Sequence, residues 1–267
     1  MKHTKNKTLR LGLILTGIML AFILLGCVWT PYDPDGMDVT CVKAAPSLAH
    51  PFGTDNFGRD IFSRVLRGAG TTFVIAACTV LIGVVFGLII GGLTGYYGGW
   101  PDELLMRLND TITAFPSILL ALVLIALFGS GKYKIILTLG ILFIPSYARM
   151  VRTEVARERT RDYVANAKLM GIRDMRILFV HILPNIRPLL LSTAVIGFNN
   201  AVLAEASMSY LGIGVQPPDA SLGRMLNEAQ GYLTTTPWYA LAAGITLILL
   251  VLGFALLGDG LEERSHA

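Results

Sequence analysis

The sequence predicts an all-α integral membrane protein with six transmembrane helices and both termini in the cytoplasm. Three observations carry that prediction: 54% of the 267 residues are apolar, mean hydropathy is +0.62, and the apolar residues gather into stretches of bilayer length. Only 15% are charged, well under the roughly 25% typical of soluble domains. A soluble enzyme, a disordered chain and a secreted disulfide scaffold are all disfavoured. Cys27, Cys41 and Cys78 form no CxxC pair and no zinc spacing, so no metal site is read from them.

A bilayer core takes about 20 helical residues. The first stretch of that kind, Leu11 to Trp29, follows Lys2, Lys5, Lys7 and Arg10. Its Leu24-Leu25-Gly26-Cys27 resembles a lipoprotein cleavage site, but Leu25 is bulky for such a site and cleavage would export the basic loop. An uncleaved anchor over 1–30 is the better reading. Outside it lies a segment, 31–71, that opens with turn chemistry at Pro31, Asp33, Pro34 and Gly36. It closes on a piece in which Phe57, Ile61, Phe62, Val65 and Leu66 share a helix face. That predicts a helix in the outer membrane interface, or simply an amphipathic lead-in to the next span.

The second span, Thr72 to Gly92, repeats glycine at Gly83, Gly87, Gly91 and Gly95. Small residues on one stripe allow another helix to approach closely, so this face is expected to meet protein. The third span is Thr111 to Phe128, and the fourth, Tyr133 to Ala148, closes on Pro145. The fifth, Pro188 to Leu211, is diluted by Asn199, Asn200 and Glu205, and the sixth is Trp238 to Leu257. A short tail, 259–267, follows. The third and fourth spans each carry a proline, Pro116 and Pro145, whose freed carbonyls need partners.

With the N-terminus inside, 15 of the 22 lysines and arginines face the cytoplasm and 7 face out, which fixes the orientation by the positive-inside rule. The same distribution accounts for the basic pI near 9.0 without invoking nucleic acid, since no aromatic residues interleave with the charge.

Nine of those inner basic residues fall between Arg149 and Arg187. There the spacing predicts a helix from Glu154 to Met170 with Tyr163, Val164, Ala167 and Met170 on one face. Gly171 stops it, Asp174 caps a second helix, and Pro184 ends that one. By periodicity alone this elbow is equally a membrane-surface element and a protein docking site.

The stretch Asp162-Tyr163-Val164-Ala165-Asn166-Ala167-Lys168-Leu169-Met170-Gly171, followed by His181-Ile182-Leu183-Pro184-Asn185, resembles the EAA loop of ABC importer permeases of the oligopeptide, dipeptide and nickel subgroup. His50-Pro51-Phe52-Gly53-Thr54-Asp55 with Gly58-Arg59-Asp60, and Glu205-Ala206-Ser207-Met208-Ser209-Tyr210-Leu211-Gly212, match the same family in order and separation. The resemblance implies a type I importer fold in a bacterial or archaeal plasma membrane, with residues 72–258 as permease core and 149–187 as its coupling loop. It also implies a sibling permease, two cytoplasmic ABC ATPase subunits, an extracytoplasmic binding protein and surrounding lipid as partners. Asp162, Tyr163, Ala167, Gly171 and Pro184 are then the ATPase-coupling candidates. Ala165 stands where the family has glutamate, so an ion pair made there would fall to Asp162 or Glu158.

No energy source is legible in the chain. A phosphate loop needs GxxxxGK followed by Ser or Thr, and Gly129-Ser130-Gly131-Lys132 fails because Ala126 and Tyr133 occupy the first glycine and the hydroxyl positions. ATP and magnesium are therefore expected on partner subunits, with no catalytic residue, metal or cofactor here. Glu205 is the one acid well inside a span, costly to bury by about 3 kcal/mol. It is expected either on a translocation path with Asn199 and Asn200, or paired with Arg59 or Arg64. A stand-alone secondary transporter or channel is the alternative function, and it would show more ionisable residues at mid-membrane and often an internal repeat. Whether the cargo is a peptide or a nickel complex is not written in this chain.

Overall fold

The computed structural model describes residues 2–265, and among them every regular element is helical. Five helices are long and apolar enough to cross a membrane, and a sharply bent pair makes a sixth crossing if the two are taken together. Helix α1 (Lys2–Val28) lies along the last helix, α9 (Pro237–Ser265). Their glycines allow the approach: a Cβ on Gly260 would stand 2.8 Å from the backbone of Leu9. The tail expected over 259–267 continues α9 as far as Ser265, while Met1, His266 and Ala267 lie outside the described residues.

Helix α2 (Ile61–Tyr97) is 37 residues long, about 55 Å at 1.5 Å per residue, and so overreaches a hydrocarbon core of about 30 Å. Asp60 caps its start, accepting from the Ser63 amide at 2.8 Å. No separate interfacial helix forms over 57–66. That piece is a turn and the first turns of α2, because its polar residues find partners inside the protein and need no membrane surface.

The third apolar stretch is likewise not one straight span. It divides into α3 (Gly99–Ala114) and α4 (Ser117–Phe128), inclined by 96°. Phe115 takes extended backbone at φ −83°, ψ 141°, as the residue before a proline prefers. By contrast, α5 (Lys132–Arg159) continues unbroken through Pro145, past the expected end of the fourth span. The Asn109 side chain supports it there, donating to the Pro145 carbonyl at 2.9 Å.

The elbow consists of α6 (Asp162–Leu169) and the start of α7 (Asp174–Tyr210). Two expectations are corrected. The first helix of the elbow does not begin at Glu154, since α5 runs to Arg159 and a break at Thr160 and Arg161 precedes α6. Nor does Pro184 end the second. A π-helical turn at Ile177–Ile182, with the Leu183 amide reaching back to the Leu178 carbonyl, widens the helix where the proline has no amide to give. The segment continues unbroken into the membrane. Helix α8 (Leu222–Gln230) then precedes α9.

One end of the bundle carries residues 29–60, the α4–α5 turn and α8. The opposite end carries the elbow, the first turns of α1 and the last turns of α9.

Candidate functional site

Helices α2 and α5 form the scaffold, and the glycine stripe is their contact. A Cβ on Gly83 would lie 2.8 Å from the Tyr147 ring, and one on Gly95 would lie 2.5 Å from the Arg152 carbonyl oxygen. Gly87 and Gly91 meet Tyr147 and Ala148 more closely still. The stripe is thus an interior seam of this chain. Outward of it, Arg152 holds Asp102 through two bonds of 2.8 and 2.6 Å, and Arg149 meets Asp110 at 2.6 Å. These pairs tie α3 to α5, and composition alone did not single them out.

Around the scaffold, α4, α5 and α7 leave a cavity of about 510 Å³. Its walls are mostly apolar, with Ser117, Ser146, Thr193, Asn200 and Ser207 as polar points. Of the three residues expected on a translocation path, only Asn200 lies in this wall. Asn199 faces α9, its amide group placed to bond the backbone of Val251 and Ala255. Glu205 is fully buried on another face of α7, where Oε1 accepts from Ser209 Oγ at 2.6 Å and Thr72 and Ser221 stand close by. Three residues within one helical stretch separate because a helix turns about 100° per residue.

The expected pairing of Glu205 with Arg59 or Arg64 does not occur either. Both arginines serve a buried network at the end of the bundle away from the elbow. Arg59 Nε donates to Asp55 Oδ2 at 2.6 Å, Arg59 Nη2 to Glu228 Oε2 at 3.0 Å, and Arg64 Nη2 to the same oxygen at 3.3 Å. The Tyr239 hydroxyl adds a bond of 2.8 Å and Arg224 closes on Oε1 at 3.2 Å. Burial alone would raise the Glu228 pKa, but Arg64, Tyr239, Arg59 and Arg224 outweigh it and hold the carboxyl below its ordinary value. Beside the network His50 Nδ1 meets Asp60 at 2.9 Å. Thus the His50–Asp60 stretch folds residues 31–60 onto α2 and α8. The Asp55–Arg59 spacing was a legible signal; the partner Glu228, 169 residues away, was not.

At the opposite end, Val164 and Ala167 are buried against Tyr96, Val151, Ile177 and Ile182. The face expected to meet a partner is therefore in part this chain's own core, and Ala167 is removed from the contact candidates. Tyr163 is half turned in, its hydroxyl bonded to Glu158 at 2.8 Å, and Glu158 also holds Arg161 at 3.1 Å. Burial raises the Tyr163 pKa. Asp162, Gly171 and Pro184 are exposed. So are Leu169 and Met170, at 86% and 72%, the most exposed large apolar side chains of the elbow; Met170 lies on the face expected from the spacing, whereas the sequence reading had not singled out Leu169. Gly171 takes φ +75° with no atom near a would-be Cβ, so its glycine answers to backbone conformation alone.

Residues 83–266 match the model of the family described as binding-protein-dependent transport system inner membrane component. A dipeptide transport system permease protein of Alkalihalophilus pseudofirmus is 35% identical over 259 residues, covering 97% of this chain and 85% of that one. A glutathione transport system permease protein of Escherichia coli O6:K15:H31 is 39% identical over 248 residues, covering 92% and 82%. The dipeptide permease of Haemophilus influenzae is 34% identical, covering 97% and 90%.

Proposed function

The chain belongs to the binding-protein-dependent transport system inner membrane components and is a multi-pass permease of the peptide branch of the ABC importers; from that premise we propose that it forms one wall of a path for short peptides. The observation that carries this reading is the cavity between α4, α5 and α7, whose apolar lining is interrupted by hydroxyl and amide groups and holds no charged side chain. Such a surface suits a peptide that must be released again: scattered hydroxyls and one amide offer hydrogen bonds to a backbone without a fixed ion pair. A second permease subunit supplies the opposite wall.

The elbow end faces the cytoplasm in this proposal, in keeping with its basic residues. Leu169 and Met170, flanked by Asp162 and Gly171, dock into a cytoplasmic ATPase subunit, which binds ATP and magnesium and hydrolyses the nucleotide. Because Ala165 cannot make the ion pair of a glutamate, and Glu158 is occupied by Arg161 and Tyr163, docking rests on apolar contact with Asp162 as the available acid. The end built from 29–60 and α8 receives the binding protein.

The test is uptake of a labelled dipeptide by proteoliposomes holding the whole importer. Uptake that requires both ATP inside and loaded binding protein outside supports the proposal. Uptake driven by an ion gradient with neither of them would establish the stand-alone transporter instead.

A further inference from the structure

A second concavity lies away from the transport path, between α1 and α9 beneath the folded 31–60 segment. It encloses about 410 Å³ and is lined by Met19 and Phe22 of α1, Phe52 of the outer segment, and Trp238, Ile245 and Leu249 of α9 among others. We infer that this groove binds one acyl chain of a membrane phospholipid, with the lipid phosphate at Lys43. The site does not depend on the transport reading. Its leaflet is the outer one in the orientation proposed above.

Three features identify the occupant. The first is polarity. Among the described residues, Thr246 is the only hydroxyl in the lining, and it is spent on the Ala242 carbonyl at 2.8 Å. The Trp238 indole nitrogen is tucked against Gly53. An occupant here is offered apolar contact and almost nothing else.

The second is length. From Trp238 to Leu249 the groove follows eleven residues of helix, about 16 Å at 1.5 Å per residue, which is half of a hydrocarbon core of about 30 Å. A docked transmembrane helix would use the whole length of α9, whereas an acyl chain spans one leaflet.

The third is charge at the mouth. Lys43 is exposed and stands over the Tyr232 ring, its Nζ 4.4 Å from the centroid. The backbone holds it in place: its amide donates to the Asp55 carbonyl at 2.9 Å. The neighbouring Ala44 carbonyl abuts Gly53, which in turn abuts Trp238, so the lysine sits at the Trp238 end of the groove. A tryptophan at one end of an apolar groove, with a lysine one residue from the backbone contact beneath it, makes a mouth suited to a phosphate ester.

The experiment uses the whole importer in nanodiscs containing phosphatidylglycerol with a photoreactive diazirine at mid-chain. Crosslinked peptides are mapped by mass spectrometry. Label should concentrate on 238–249 and on the α1 residues facing it. Leu241→Trp, at a position 58% exposed in the groove wall and so compatible with the fold, should strongly reduce the label, as should Ala242→Phe. Ile248→Trp, on the same helix outside the lining, should not. Lys43→Gln should lower labelling about fivefold, the equivalent of one basic residue near a charged surface. Labelling unchanged in both groove-filling variants would overturn the proposal. A photoreactive amino acid at Leu241 completes the test, since capture of lipid upholds it, while capture of the sibling permease, the binding protein or a second copy assigns the groove to protein.

Discussion

Arg64 and Glu228 meet at 3.3 Å where the arginine side chain has no exposure to solvent and the glutamate only 12%. The contact joins the first turn of α2 to α8 and fixes the segment between α1 and α2. Removing one member leaves a buried charge without its partner, a loss of about 3–5 kcal/mol for fully buried pairs and less where one side is partly solvated. Glu228→Gln should therefore lower the thermal unfolding temperature of the purified importer by several degrees. Glu228→Asp should recover part of the loss.

The same residue predicts an acid limb. Its folded pKa is below the ordinary value, so the stabilisation is complete above a glutamate's usual pKa of about 4.3 and vanishes as pH falls through the lower folded value. Unfolding midpoints measured from pH 7 down to about 3 should fall less steeply for Glu228→Gln than for wild type. Parallel acid limbs in the two proteins would mean that Glu228 does not carry the charge the network assigns to it.

Gly87→Leu tests the seam between α2 and α5. A Cβ already collides with Tyr147 there, and overpacking of a closed core costs about 1–3 kcal/mol or more. The damage is expected within this chain: low yield of folded subunit even when it is expressed alone. Normal monomer yield with failed assembly would place the seam between subunits.

Gly171→Val tests the coupling role proposed for the elbow. Nothing would touch the added side chain, so only the positive φ is strained, by about 1–3 kcal/mol. The spans should insert and pair as before, while ATPase co-purification and binding-protein-stimulated hydrolysis fall. Leu169→Glu should do the same without altering the turn, whereas Lys168→Ala should have little effect. Wild-type coupling in both Gly171→Val and Leu169→Glu would remove the docking assignment.

Orientation is tested with single cysteines in a background lacking Cys27, Cys41 and Cys78. Ser47→Cys and Asp219→Cys occupy exposed positions at one end of the bundle and Thr160→Cys an exposed position at the other. In intact cells an impermeant thiol reagent should label the first two and spare the third. The reverse pattern would invert the molecule.

Much of the architecture was legible because bilayer physics acts on composition. Runs of about 20 apolar residues located the spans, and the spacing of Gly83, Gly87, Gly91 and Gly95 marked a close helix contact. Gly171 declared its positive φ through the periodicity that stopped before it. The prolines were harder to read. Pro116 bends the chain by 96°, Pro145 sits inside a continuous helix, and Pro184 is absorbed by a π turn. The spacing shows none of this: an extra residue in the turn accommodates Pro184, while Pro145 is carried within an unbroken helix.

The sequence by itself determined the solvent each segment prefers, because hydrophobicity and basic charge are additive along the chain and need no knowledge of neighbours. Only the tertiary structure decided partners. Which of Asn199, Asn200 and Glu205 lines the cavity is a matter of rotation about a helix axis, set by what packs on each face. That Arg59 and Arg64 choose Glu228 over Glu205 depends on α8 arriving beside α2 from far along the chain. Ala167 lies in the protein's own core, since α5 and α7 converge on α6 and apolar contact is satisfied there first. These are contacts between residues remote in sequence, and composition and spacing carry no record of them.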